Sequence, residues 1–144
     1  MSFIDAFFES TSGITTTGAT VIENLEAKSH GILIWRALLQ WLGGVGIIVM
    51  ALAVLPMLSI GGMQLFKTES YETPDKVVPK AASFAAGISI VYITLTVIWA
   101  LMLWGAGMPM FDSIAHAMTT LATGGYSTKS ESLAAFNSST IEII

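Results

Sequence analysis

Thr16-Thr17-Gly18 and Thr123-Gly124-Gly125 are the residues of this chain best suited to chemistry, and that chemistry is the coordination of a dehydrated cation. A cation that sheds its water needs uncharged oxygens aimed at one point from several sides. Backbone carbonyls supply them, and threonine hydroxyls add more. Gly18 and Gly125 allow the backbone to turn its carbonyls inward, through angles that a side chain penalises. Both groups sit in a longer repeated unit. Phe3-Ile4-Asp5 followed by Gly13 to Thr20 recurs as Phe111-Asp112 followed by Thr120 to Thr128. Laid over one another without a gap, Asp5 falls on Asp112, Ile14 on Leu121, Thr16 on Thr123 and Gly18 on Gly125. Each copy reads as a short helix running into a Thr/Gly turn, with the negative end of the helix dipole directed at the turn. Non-helical backbone at membrane depth is tolerated only where it lines a wet cavity or is buried in protein. Two re-entrant pore loops are the expectation.

Other candidate groups carry less. His30 and His116 lack metal-ligand companions at usable spacing and read as loop and short-helix residues. Asp5 and Asp112 read as helix-starting residues that favour the positive N-terminus. Glu9, a carboxylate inside a pore helix, is expected to be functional or hydrogen-bonded to the loop behind the filter. Ser12 to Thr20 lacks the lysine that a phosphate-binding loop places after its glycine. No nucleophile, base and orienting group can be assembled, so an enzyme is not expected. The absence of cysteine excludes disulfides and thiolate metal sites. No organic cofactor and no nucleic-acid partner are expected.

The elements that must position the two turns follow from composition. Of the 144 residues 53% are hydrophobic and only 11% charged, where a soluble domain carries about a quarter. Uncharged runs of about 30 residues, Ala37 to Phe66 and Ala81 to Phe111, exceed the roughly 20 needed to cross a bilayer. The expected elements are a short helix over Ser2 to Ser12, membrane helices over Ile32 to Ile60 and Ala81 to Trp104, and a second short helix over Met110 to Leu121. Trp35, Arg36 and Trp41 suit the headgroup region, with Arg36 snorkelling. Trp99 and Trp104 stand near the far end of the second membrane helix. Gly43, Gly44 and Gly46 form a small-residue patch that admits another helix. Pro56 is expected to kink its helix or end its regular part, Gly61-Gly62 to close it, and Pro74 and Pro79 to break the polar connection Met63 to Lys80. Two crossings place both Thr/Gly turns on one face, which Asp5, Glu9, Glu23, Glu26, Asp112, Glu131 and Glu142 make acidic.

Asp5 to Thr20, Trp35-Arg36, Gln40-Trp41-Leu42-Gly43-Gly44, Gly61-Gly62-Met63-Gln64-Leu65-Phe66 and the second loop Ala122 to Thr128 together resemble the TrkH potassium-uptake family. The resemblance runs through essentially the whole chain. It implies an all-α membrane protein built of K+-channel-like repeats: transmembrane helix, pore helix, filter loop, transmembrane helix. Four such repeats in one polypeptide surround a single pore. Residues 1–62 would be part of repeat one, 63–80 a cytoplasmic linker, and 81–144 part of repeat two. Thr16, Thr17 and Gly18 match the first K+ filter, and Thr123, Gly124 and Gly125 the second. The transported ion would be K+. Expected partners are membrane lipid, the remaining repeats of the same polypeptide, a second copy in a homodimer, and a cytoplasmic TrkA-like nucleotide-binding subunit. The location implied is the bacterial inner membrane, multi-pass, with the filter loops facing the periplasm. On this likeness the chain starts inside the first pore helix and stops soon after the second filter. The alternatives are a KtrB-type, Na+-dependent K+ transporter and a non-conducting membrane scaffold.

Overall fold

A computed structural model describes residues 2–58 and 77–144. Its elements in chain order are α1 (Phe3–Ile14), a 3-10 turn (Leu25–Ala27), α2 (His30–Leu58), α3 (Val77–Gly105), α4 (Met110–Leu121), a second 3-10 turn (Ser132–Phe136) and α5 (Ser139–Ile143). No strand occurs among the described residues. Expectations for Gly61-Gly62, Pro74 and the connection 63–76 lie outside them.

Each element has a local cause. A reciprocal capping box starts α1: the Ser2 hydroxyl accepts the Asp5 N–H at 3.1 Å, and the Asp5 carboxylate accepts the Ser2 N–H at 2.8 Å. α2 and α3 are each 29 residues long, about 43 Å at 1.5 Å per residue. Within them His30–Met50 and Ala86–Gly105 are apolar and long enough to cross a membrane. α2 runs through Pro56 to Leu58. α3 starts four residues before the expected Ala81, so Pro79 falls in its first turn, where a missing N–H costs nothing. Its surface carries Ile90, Val91, Leu95, Ile98, Leu101 and Trp104 uncovered, as a face toward lipid hydrocarbon requires.

α4 lies against both long helices. On the α2 side, Ala115 and Met118 pack with Ala37, Ile34, Leu38 and Trp41. On the α3 side, Ala117 packs with Leu103, Met108 and Ile141, covered by Trp99, Leu133 and Phe136, so the C-terminal segment folds back onto the α3–α4 hairpin. The α2–α3 contact departs from expectation. Trp41 faces α3 rather than headgroups: its indole N–H donates to Thr96 at 3.0 Å and its ring lies 5.2 Å from that of Tyr92. Trp35, by contrast, is exposed.

Three helices end in the same way. After α3, Met108 N–H bonds Leu103 O and Gly107 N–H bonds Trp104 O, with Gly107 left-handed at φ 101°. This is a Schellman ending with the usual glycine. After α1, Thr17 N–H bonds Ser12 O and Thr16 N–H bonds Gly13 O; after α4, Gly124 N–H bonds Thr119 O and Thr123 N–H bonds Thr120 O. In both, the left-handed position holds threonine, at φ 55°. A β-branched residue there costs on the order of 1–3 kcal/mol. Among these three endings, glycine stands after α3 and threonine after α1 and α4, where the Thr/Gly turns begin.

Candidate functional site

The two Thr/Gly turns share one backbone. Thr16 and Thr123 are both at φ 55°, and Gly18 and Gly125 both at φ 78°. The sequence repeat is therefore a structural repeat, and the two glycines occupy the left-handed region expected of them. The turns also meet. A Cβ built on Gly18 would stand 2.0 Å from the Gly124 carbonyl oxygen.

Adjacent glycines of α2 seat the two turns. A Cβ on Gly43 would be 2.1 Å from Ile14 O, at the end of α1, and one on Gly44 would be 3.0 Å from the Ala122 Cα, at the end of α4. What approaches this patch is thus the ends of α1 and α4 together with α3, whose Tyr92 hydroxyl would stand 2.6 Å from a Cβ on Gly44, so a second long helix does pack there as expected. Gly46 meets nothing within 4 Å and takes no part.

Arg36 does not snorkel. It is buried, and its Nε lies 3.0 Å from Glu9 Oε2, with only 4% and 5% of the two side chains exposed. Its Nη2 donates to Thr20 Oγ1 at 3.0 Å, its Nη1 to Ser127 O at 3.3 Å, and its guanidinium lies 4.0 Å above the Tyr126 ring. The other oxygen of Glu9 accepts the Thr20 hydroxyl and the Val21 N–H, the latter at 2.6 Å. Glu9 is thus bonded to the loop behind the first turn, as expected of it. Tyr126 closes the arrangement by donating its hydroxyl to Glu9 O at 2.9 Å. Ser12 donates to Ala19 O at 2.6 Å. One helix residue therefore ties both loops together.

The aligned aspartates have different roles. Asp5 caps α1, as expected. Asp112 stands in the first turn of α4, as expected of a helix-starting residue, and its buried carboxylate also accepts the Thr128 hydroxyl at 2.7 Å behind the second turn. Pro109 occupies the N-cap with no side-chain bond. His116, which aligns with Glu9, stands 3.4 Å from both Ser127 Oγ and Thr128 Oγ1. His30 packs against Phe111 with the rings tilted by 42° and their centroids 4.2 Å apart. With Glu9 and Asp112 buried, the acidity of the loop face reduces to Asp5, Glu23, Glu26, Glu131 and Glu142. Glu26 joins the outer parts of the loops, accepting Ser130 N–H at 2.7 Å and the Ser130 hydroxyl at 2.8 Å. The Ser130 amide holds this carboxyl below its ordinary range.

Gln40 is the residue that sequence reasoning passed over. It is fully buried; its Nε2 donates to Gly124 O at 2.9 Å and its Oε1 accepts Tyr126 N–H at 3.1 Å. Its spacing from Arg36 was the available signal. Two strongly polar residues four apart share one helix face, and that face also carries Gly43 and Gly44.

A family model described as TrkH, cation transport protein, matches residues 1–144. The chain belongs to the TrkH family. It is 49% identical to the Trk system potassium uptake protein TrkH of Salmonella typhimurium and 48% identical to that of Escherichia coli strain K12, over 100% of this chain and 30% of each relative. It is 45% identical to the Trk system potassium uptake protein TrkI of Halomonas elongata over 94% of this chain and 28% of that protein. The crystal structure of the potassium transporter TrkH from Vibrio parahaemolyticus superposes with a TM-score of 0.83 at 44% identity, covering 99% of this chain and 28% of that one. The chain spans about 30% of the length of the curated relatives it matches. TrkH is a family of membrane transport proteins, not enzymes, and this member carries its all-helical fold.

Proposed function

We propose that this TrkH-family chain supplies two of the filter loops through which a complete polypeptide takes up K+. The observation that carries the reading is the pair of abutting turns with equal left-handed backbone at Thr16 and Thr123 and at Gly18 and Gly125. Threonine at a strained position that Gly107 fills freely elsewhere favours a functional demand for that side chain. Thr16, Thr17, Gly18, Thr123, Gly124 and Gly125 line the ion path. A carbonyl oxygen has two lone pairs, so Gly124 O can take an ion while bonded to Gln40. Selectivity comes from the number and spacing of these oxygens.

Residues 1–62 and 81–144 act as parts of the first two repeats, and 63–80 as the linker between them. The filter loops face the periplasm, and K+ enters past Asp5, Glu23 and Glu26. The remaining repeats of the polypeptide complete the ring, a second copy forms a homodimer, and a TrkA-like nucleotide-binding subunit docks on the cytoplasmic side. The potassium named for the relatives and the family likeness support these assignments.

The test is K+ uptake by a transport-deficient bacterium expressing the complete polypeptide, wild type against Gly125→Ser. A Cβ at Gly125 meets nothing within 4 Å, so the substitution acts through backbone angle alone. Growth at low external K+ with wild type, and lost affinity or K+/Na+ discrimination with the variant, is the expected result. Equal rescue at equal membrane amounts would remove the loop from the ion path and favour a scaffold.

A further inference from the structure

The two turns differ in how easily a peptide can flip within them. In the first, Thr17 precedes Gly18, and the Thr17 hydroxyl lies 2.8 Å from that of Thr15, which restrains it. In the second, Gly124 precedes Gly125, and two successive glycines leave the intervening peptide free of side-chain barriers. Gln40 bonds that peptide's neighbourhood, and its Nε2 also lies 3.7 Å from where a Cβ on Gly18 would stand. Its amide grips the carbonyl before Gly125 and the N–H after it, so Gly125 is bracketed by one side chain. The reverse amide orientation would set oxygen against oxygen and N–H against N–H, which fixes Gln40 in one sense. Among the described residues no donor takes up the carbonyl of Thr17, the counterpart of Gly124. The fit is close: a Cβ on Gly124 would stand 2.3 Å from Gln40 Cδ.

We propose that Gln40 is a positioning residue for ion selectivity, holding the Gly124–Gly125 peptide in the orientation that keeps the second turn matched to the first. Gln40 touches no ion itself. It acts by fixing where Gly124 O stands relative to Gly18, and so the oxygen spacing that a permeating cation meets. The inference rests on the transport reading above.

The test uses the complete polypeptide in the transport-deficient bacterium. Gln40→Glu keeps the size and the acceptor for Tyr126 N–H but removes the donor to Gly124 O; Gln40→Met keeps the approximate length and removes both bonds. Trp41→Phe, which loses the bond to Thr96 on the same helix, is the control for general packing damage. Membrane amount, KM for K+, maximal rate and competition by Na+ are measured for each. Both Gln40 variants should raise KM for K+ about tenfold and lower K+/Na+ discrimination by a similar factor, the scale of one buried hydrogen bond. Trp41→Phe should change amount without changing discrimination. If wild type takes up no K+, the transport reading fails. If wild type transports and both Gln40 variants keep KM and discrimination, the transport reading stands and the role of Gln40 is overturned. Failure of both variants to accumulate would also overturn it, because Gln40 would then serve folding rather than selectivity.

Discussion

The first and second Thr/Gly turns have the same φ angles and the same helix-ending hydrogen bonds, and a buried carboxylate accepts a threonine hydroxyl behind each, yet the remaining partners differ. Glu9, Arg36 and Thr20 form a charged brace behind the first. Asp112, His116 and Thr128 form a smaller one behind the second, supplemented by Gln40. The shape of a turn is thus set locally, by threonine and glycine at fixed offsets from a helix end. Its support comes from wherever a buried polar group can reach, and α2 provides Arg36, which reaches both loops, and Gln40, which bonds the second. A repeat can diverge in its supports while keeping its backbone.

Substitution of the aligned glycines should separate the turns most sharply. Gly18→Ala drives a methyl into the Gly124 carbonyl and should abolish K+ uptake by the complete polypeptide. Gly125→Ala bears only the left-handed penalty, roughly 1–2 kcal/mol, and should weaken K+ affinity about tenfold without abolishing uptake. Equal loss in both, measured per transporter in the membrane, would mean that the turns do not touch as described.

The braces differ in what their removal costs. Arg36→Met strands the Glu9 carboxylate and should lower thermal stability in detergent by about 3–5 kcal/mol. The double variant Glu9→Leu, Arg36→Met should recover much of that. Thr128→Val behind the second turn should cost only about 1–3 kcal/mol. A larger loss from Thr128→Val than from Arg36→Met would reverse the ranking of the two supports.

The smallest effect concerns the outer tie between the loops. Because Ser130 depresses the Glu26 pKa, the tie contributes fully above the unfolded carboxyl's pKa and is lost as pH falls through the folded value. Hydrogen-exchange protection of the Ser130 amide, corrected for intrinsic rate, should therefore decline toward acid pH. In Glu26→Gln it should be weaker and flat across that range.

The repeat, the four principal helices and the left-handed glycines were legible in the sequence because each has a local cause: hydrophobic run length, or a Gly/Thr cluster at a helix end. Arg36 and Trp41 were misplaced because an Arg or Trp near the start of an apolar helix fits headgroups and buried partners equally well. Deciding between them takes Glu9, Ser127 and Tyr92, which lie 27, 91 and 51 residues away. Asp112 stands in the first turn of α4 as its sequence position suggests, but its bond to Thr128, 16 positions on, has no local signal. The left-handed threonines could not be anticipated, since propensity argues against them.

The bonds that Gln40, Tyr126 and Arg36 make between the loops join residues 84 to 117 positions apart. A ribosome adds about 5–20 residues per second, so the first loop exists for roughly 5–20 s before its counterpart is synthesised. The Glu9–Arg36 pair, 27 positions apart, and the bonds of Thr20 to both can form in that interval. During translation the ion pair is therefore a holding contact, which keeps a charged, half-built loop satisfied until Tyr126 arrives to lock it.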